Sequence, residues 1–471
     1  MSSGTVAAVD LGATSGRVML GHVGPGELKL EAVRRFPNGP VRGGVSLRWD
    51  ATGLYEAILL GLTAALRDSP ELASIGVDSW ATDYALLRDG AALSEPFHYR
   101  DDRNHAAAQK VHSLVSPAEL YARNGLQYLP FNTLYQLSAE HDLSAADSFL
   151  LIPDLITYWL TGRSFAERTN ASTTGLLGVI SREWDDELLA RLGLPRSIFP
   201  DLMDAGTVVG TLSASVAATI GAPATLGVTA VGSHDTASAV VAVPATSDDF
   251  AYISCGTWGL VGVELEHPVL TEASRLANFT NEGGVDGRVR YLHNVMGLWL
   301  LTESVREWQL ADATIELPGL LAAAAALDTP VGNFDANDPI FLAPGAMPDR
   351  IAQWCRDHGV AVPRSPVEFV RSIIESMAEA FAAAVRTASE LSGKSVSVIH
   401  IVGGGSQNTL LCQFVADRSG LPVLAGPIEA TALGNVLVQA RTHGFIAGGL
   451  ESLRALVATT FQPLTYLPRL R

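Results

Sequence analysis

The stretch Val6-Ala7-Ala8-Val9-Asp10-Leu11-Gly12-Ala13-Thr14-Ser15-Gly16-Arg17-Val18-Met19-Leu20 decides how the rest of the chain is read. Two β-rich apolar runs flank a turn of glycine and hydroxyl residues, which predicts an antiparallel hairpin. Leu28 to Phe36 supplies a third strand and completes a meander. Leu54, Ile58, Leu59, Leu62 and Leu66 then recur at helical spacing behind Asp50 or Thr52 as N-cap, and the strand Ile75-Gly76-Val77 follows. Strands that alternate with helices define an α/β layered domain.

Half a chain later the pattern returns. Phe250-Ala251-Tyr252-Ile253 leads into Ser254-Cys255-Gly256-Thr257-Trp258-Gly259, and Leu260-Val261-Gly262-Val263 leads out. Two readings fit: two similar α/β lobes that each open on a hairpin, or chance likeness between two hairpins. A boundary near Val243-Pro244-Ala245-Thr246-Ser247 suits both and divides the chain into 1–243 and 244–471. In the second part Ser365-Pro366-Val367-Glu368 is a capping box with proline at the first helical position. Val370, Ile373, Ile374, Met377, Phe381, Val385, Ala388 and Leu391 form one stripe, which Gly393 ends. The strand Val396 to Val402 opens into Gly403-Gly404-Gly405-Ser406-Gln407-Asn408. A helix, the short strand Pro422-Val423-Leu424 and a last helix starting near Glu429 complete this part.

Composition narrows the partners. The 471 residues carry 32 Lys+Arg against 49 Asp+Glu, a net charge of −17. That length suits two large domains or three small ones, and 48% apolar with 17% charged residues excludes disorder. An acidic chain is a poor match for phosphate backbones or anionic lipid, so no nucleic acid and no membrane are expected as partners. No apolar run reaches the roughly 20 residues of a membrane span. The three cysteines, Cys255, Cys355 and Cys412, are far apart and odd in number, and Met1-Ser2-Ser3-Gly4-Thr5 has no basic region or cleavage pattern. Both features predict a cytoplasmic protein.

Several segments could carry chemistry. In the turn from Asp10 to Arg17, the loop amides and the hydroxyls of Thr14 and Ser15 could donate to phosphate oxygens, Arg17 adds a cation, and Asp10 could hold Mg²⁺ directly or through water. An ordinary hairpin with an exposed aspartate is the alternative. Ser233-His234-Asp235-Thr236 lies between a strand, Thr225 to Val231, and a small-residue helix, Ala237 to Val243. Neighbours in sequence cannot form a Ser-His-Asp triad. Either Ser233 or Asp235 caps the helix, or Asp235 is a carboxylate kept ionised by the helix N-terminus and able to accept a hydroxyl proton. The glycines at 403–405 could let a flat ligand lie against backbone, or could form a tight strand-to-helix turn. The set Gly76-Val77-Asp78-Ser79-Trp80-Ala81-Thr82-Asp83 with Tyr99-Arg100-Asp101-Asp102-Arg103 suits sugar recognition, or else Arg100, Asp101 and Arg103 supply surface ion pairs. Asn294 could bond ligand or backbone. Ser392-Gly393-Lys394-Ser395 is no P-loop, because Ala388 stands where a glycine is required and helix precedes strand.

Together, Asp10 to Arg17, Ser233 to Thr236, Ser254 to Thr257 and Gly403 to Asn408 resemble the FGGY family of carbohydrate kinases, within the actin/hexokinase-like ATPase superfamily. The resemblance runs from Val6 to about Ala440. It implies an α/β protein of two actin/hexokinase-like (ribonuclease H-like) lobes, with the active site in the cleft between them. Within the family, Asn124 to Leu137, Asn278 to Gly284, Met296 to Leu301 and Gly426 to Ala430 look most like the branch that phosphorylates L-rhamnulose at its 1-hydroxyl.

The resemblance also implies roles. Asp235 would be the base, with His234, Thr236 and Asn294 holding the sugar. Ala13, Thr14, Ser15, Gly16 and Arg17, together with Thr257, would grip the phosphates of ATP, and Gly404 would face the nucleotide. Asp10 would position Mg²⁺. Two positions depart from the family pattern: Ala81 replaces a substrate-facing glycine, and Thr302 replaces a glutamine near the nucleotide. The expected partners are therefore a sugar, ATP and Mg²⁺, in a monomer or small homo-oligomer. Other kinases of the family, acting on L-fuculose, D-xylulose or glycerol, are the nearest rivals. A non-sugar actin-like ATPase is more distant.

Overall fold

Small and β-branched residues leading into Asp10 form a strand whose central side chains, Val6 to Val9, are fully buried. The computed structural model describes residues 2–44 and 46–469. The chain forms two compact units, each discontinuous in sequence. The first consists of Met1–Thr246, Glu264–Tyr291 and Glu429–Phe461, and the second of Ser247–Val263, Leu292–Ile428 and Gln462–Arg471.

In the first unit, β1 (Gly4–Leu11), β2 (Ser15–Gly24) and β3 (Glu27–Pro37) form the expected meander. Helix α1 (Ala51–Asp68) follows, with Asp50 as its N-cap accepting from the amide of Gly53. It returns the chain to β4 (Leu72–Ser79), parallel to β1 and in a register that sets Asp10 against Asp78. Two further strands, β5 (Val208–Thr211) and β6 (Gly227–Thr229), complete the sheet in the order β5-β6-β4-β1-β2-β3. β6 is shorter than the apolar run Thr225 to Val231 predicts, because the chain turns away at Ala230 toward helix α2 (Asp235–Val241). Between β4 and β5 the chain builds a further layer around Tyr84, Phe149, Leu176, Trp184 and Phe199.

The second unit repeats this plan. β7 (Phe250–Cys255) pairs antiparallel with β8 (Trp258–Leu265), the next strand in the sheet is β9 (Val289–Met296), and on the other side β7 runs parallel to β10 (Val398–Val402). β11 (Val423–Ala425) is parallel to β10, and β12 (Leu464–Tyr466) is antiparallel to β11. Each sheet thus has a hairpin with a third strand outside it, then two parallel strands and an antiparallel edge, and the second sheet adds Thr280–Gly283 beyond β9 as a seventh strand. This shared topology excludes chance likeness between two hairpins.

Helix α3 (Pro366–Ser392) begins at Ser365, whose side chain accepts from the Glu368 amide, and ends at Gly393 in the left-handed conformation. Its stripe from Val370 to Ala388 is buried. Helix α4 (Thr409–Ser419) packs on α3. The next helix, α5 (Ala430–Thr442), belongs to the first unit, where it packs on α2, β1 and β4. It is not the last. Leu450–Thr460 forms another helix, whose buried Arg454 makes two 2.8 Å bonds to Glu264 and donates to the Val240 carbonyl at 3.2 Å. Among the described residues no helix is long and apolar enough to cross a membrane.

Candidate active site

The carboxyl end of β1 carries Asp10, which is 1% exposed. Arg17, opposite it on β2, donates from Nε to Asp10 Oδ2 at 2.8 Å, and its Nη1 lies 2.7 Å from Glu429 Oε2. Glu429 also binds Arg35 at 2.5 Å. Burial raises the Asp10 carboxyl above its ordinary range, Arg17 draws it back, and the charges of Asp235 and Glu429 push it up. Asp78 lies beside it on β4. One of its oxygens accepts from Asn435 Nδ2 at 2.5 Å, and Oδ1 is buried without a hydrogen-bond partner among the described residues. Burial and then the Asp10 charge raise Asp78 well above the usual carboxylate range.

Thr14 and Ser15 are exposed at the tip of the turn, with Ala13 half-buried beside them. The Gly12 amide donates to Ser15 O at 2.9 Å, and Asn38 braces the loop by donating to Gly12 O at 2.8 Å and to Thr14 O at 3.1 Å. Gly16 serves packing, since a Cβ there would lie 2.1 Å from the Phe36 ring. Among the described residues no group of three or more His, Cys, Asp or Glu side chains is arranged to hold a metal ion. The carboxylates of Asp10 and Asp78 would suit Mg²⁺ that keeps several waters and takes other ligands from phosphate oxygens.

Asp235 opens α2, and the capping alternative fails. The N-cap is His234, which makes no side-chain cap bond, while Ser233 gives its amide and hydroxyl to Glu167 Oε2 at 3.0 and 2.9 Å. Asp235 therefore occupies the first turn, at the positive end of the helix, with its side chain 30% exposed. Its Oδ1 accepts from Thr236 Oγ1 at 3.1 Å and lies 3.4 Å from His234 Nε2. His234 and Thr236, expected to hold the sugar, are only 5% and 2% exposed. Both turn polar atoms toward Asp235.

Ala81 is half-buried in the turn after β4, next to Thr82, whose φ is +72°. That conformation is costly for a β-branched residue. It is held by Thr133 Oγ1, which donates to Thr82 O at 2.7 Å. The neighbouring aromatic side chains are used internally. Asp83 Oδ2 accepts from Trp49 Nε1 at 2.5 Å, Trp80 Nε1 at 3.1 Å and the Tyr99 amide at 3.2 Å, while Oδ1 accepts from Gln136 at 2.8 Å. Burial raises Asp83 to about 6 despite these four donors. Nor are Asp101 and Arg103 loose surface ions: Asp101 accepts from the Leu47 amide at 2.7 Å, and Arg103 pairs with Glu140 at 2.9 Å over the Phe97 ring.

The second unit gathers three expected residues on one surface. Thr257, in the β7–β8 turn, accepts through its carbonyl from the Trp299 amide at 3.3 Å, and Leu298 N donates to Gly256 O at 2.9 Å. Thr302 is exposed one turn into the helix Trp299–Ala311, with its hydroxyl donating to Leu298 O at 3.0 Å. The glycine run divides its work. Gly403 has φ +82°, and a Cβ on Gly405 would lie 2.2 Å from Cys255 Sγ, so these two make the tight turn. Gly404 is exposed, with only Leu298 Cδ1, at 4.0 Å, near its missing Cβ. Asn294 is half-buried on β9.

Nothing in the sequence assigned a role to Glu429, Glu167 or Arg290, and Asp78 stood only within the run suited to sugar recognition. Each acts through a partner distant in sequence, and only the quoted runs containing Asp78 and Glu429 drew attention to either.

The duplicated α/β plan is shared with a class of carbohydrate phosphotransferases. Residues 5–242 match the N-terminal domain of the FGGY family of carbohydrate kinases and residues 251–443 its C-terminal domain, and the chain belongs to this family. Among individual relatives it is 40% identical to a rhamnulokinase of Bacteroides thetaiotaomicron, over 98% of this chain and 95% of that one. It is 42% identical to a rhamnulokinase of Pectobacterium carotovorum, over 100% and 94%, and 38% identical to one of Enterococcus faecalis, over 98% and 94%. Crystal structures of a gluconate kinase from Lactobacillus acidophilus (TM-score 0.80, 17% identity) and of Plasmodium falciparum glycerol kinase with ADP (TM-score 0.78, 13% identity) share the fold. Each match covers 99% of this chain and 94% of the other.

Proposed function

We propose that the protein transfers the γ-phosphoryl group of ATP to the 1-hydroxyl of L-rhamnulose, giving L-rhamnulose 1-phosphate and ADP. The observation that carries the substrate is the 38–42% identity to rhamnulokinases over nearly the whole chain. The chemistry rests on Asp235, an accessible carboxylate at a helix N-terminus with one oxygen already held by a neighbour. Asp235 takes the hydroxyl proton as the sugar oxygen bonds to the γ-phosphorus, and the bond from that phosphorus to the β–γ bridging oxygen breaks. The transition state is loose, so positioning and charge neutralisation supply most of the catalysis.

On this reading Arg17 and the Ala13–Gly16 turn bind phosphate oxygens, Thr257, Thr302 and Gly404 line the nucleotide, and Asn294 and Ala81 border the sugar. Mg²⁺, when bound, neutralises phosphate charge, and Asp10 would hold it through water. Three buried free thiols and the need for ATP support a cytoplasmic location.

The test is an ADP-coupled assay with L-rhamnulose, L-fuculose, D-xylulose and glycerol. L-Rhamnulose should give the highest kcat/KM, and a clear preference for another acceptor overturns the substrate. Asp235→Asn should still bind ATP and sugar but lose turnover by about 10²-fold or more. Near-normal turnover there rejects the base.

A further inference from the structure

His234 is bounded by charged groups on both ring nitrogens. Arg290 Nη2 lies 2.9 Å from Nδ1, and on the other side Nε2 lies 3.4 Å from Asp235 Oδ1. Arg290 is fully buried. Its Nε donates to Gly283 O at 3.0 Å, and Nη2 also lies 3.1 Å from Glu282 Oε2. Glu282 Oε2 is in turn 3.2 Å from His234 Nδ1.

A guanidinium only donates, and it keeps its protons in proteins. Nη2 carries two hydrogens and faces two acceptors, His234 Nδ1 and Glu282 Oε2. A proton on Nδ1 aimed at Glu282 would instead set one N–H against another across the 2.9 Å contact. The neutral ring avoids this by carrying its proton on Nε2, where it faces Asp235 Oδ1. Thr236 Oγ1 donates to the same oxygen at 3.1 Å.

We infer that Arg290 is a positioning residue that fixes His234 as the Nε2–H tautomer, so that His234 and Thr236 together occupy Oδ1 of Asp235 and Oδ2 takes the sugar-hydroxyl proton. This rests on Asp235 being the base. It makes His234 an orienting group for that base more than a sugar ligand. The buried Glu282 balances the guanidinium charge, so a test must change both partners.

The experiment uses the full chain labelled with ¹⁵N-histidine. Two-bond ¹H–¹⁵N correlation spectra, with His234 assigned by its loss in His234→Gln, should show a protonated Nε2 and a bare Nδ1. In the double variant Arg290→Gln/Glu282→Gln, with an unchanged melting curve, the single-tautomer signature should be lost. There kcat should fall about 10-fold or more while KM for the sugar stays within about 2-fold. A wild-type ring protonated on Nδ1, or on both nitrogens, overturns the inference, as does a double variant with wild-type kcat. If the double variant fails to fold, the wild-type spectrum decides alone. Normal turnover in Asp235→Asn would reject the base and leave the spectrum unmoved, so the two failures are distinguishable.

Discussion

Glu429, the N-cap residue of α5, holds Arg17 at 2.7 Å, so the arginine at the first hairpin turn is shared between this carboxylate and Asp10. Two acids on one cation leave little net positive charge where a polyphosphate is proposed to bind. Glu429→Gln keeps the shape and removes one negative charge. A partly exposed pair of this kind is worth roughly 0.2–1 kcal/mol, so KM for ATP should fall about 1.4- to 5-fold. A rise in KM would mean that Glu429 is needed to aim Arg17.

Asp83 should make stability depend on pH. Its folded value of about 6 lies above the ordinary 3.8, so between those values the folded protein holds a proton that the unfolded chain has released. The contribution is fully present below about pH 4 and is lost as pH rises through 6, on the order of 3 kcal/mol in all. In urea titrations the stability of wild type relative to Asp83→Asn should fall by about 2–3 kcal/mol from pH 4 to pH 7, and the emission of Trp49 and Trp80 should titrate near pH 6 in wild type only. A difference between the two proteins that does not vary with pH would refute it.

The helix carrying Asp235 is seated against α5 at Gly434, where a Cβ would lie 1.8 Å from Ser238 O. Gly434→Ala should cost about 1–3 kcal/mol by overpacking and displace α2. Thermal denaturation should show the loss, and kcat should drop more than sugar KM changes. Wild-type melting and turnover would show that the two helices separate at no cost.

The glycine run offers a paired test. Gly405→Ala meets Cys255 Sγ and should destabilise, whereas Gly404→Ala meets nothing closer than 4.0 Å and should fold normally. If nucleotide lies against Gly404, the second variant alone should raise KM for ATP with an unchanged melting temperature. Unchanged KM would remove Gly404 from the nucleotide surface.

Much of this was legible in the sequence because it is local. The meander at Asp10, the capped helix from Ser365 and the repeated hairpin all follow from periodicity and turn residues within short windows. What escaped depends on pairing across the chain. The Asp10–Asp78 register, the grip of Glu429 on Arg17 and the Arg290–His234 contact join residues 56 to 412 positions apart (290 − 234 and 429 − 17). Ser233 looked like a cap because hydroxyl residues often are, and its true partner, Glu167, lies in another layer. The aromatic residues after β4 suggested a sugar wall, yet Asp83 draws their polar atoms inward.

The discontinuity of the first unit has a consequence for synthesis. Asn435 on α5 holds Asp78 at 2.5 Å, and Gln439 bonds the Ala7 carbonyl of β1 at 3.0 Å, so the central strands receive part of their cover from residues more than 350 positions later in the chain. A ribosome adding about 5–20 residues per second would leave that sheet incomplete for roughly 10–40 s after residue 246 emerges. During that interval the apolar face under α5 is available to chaperones or to neighbouring nascent chains. A fragment ending near residue 246 should therefore aggregate instead of folding as an independent lobe.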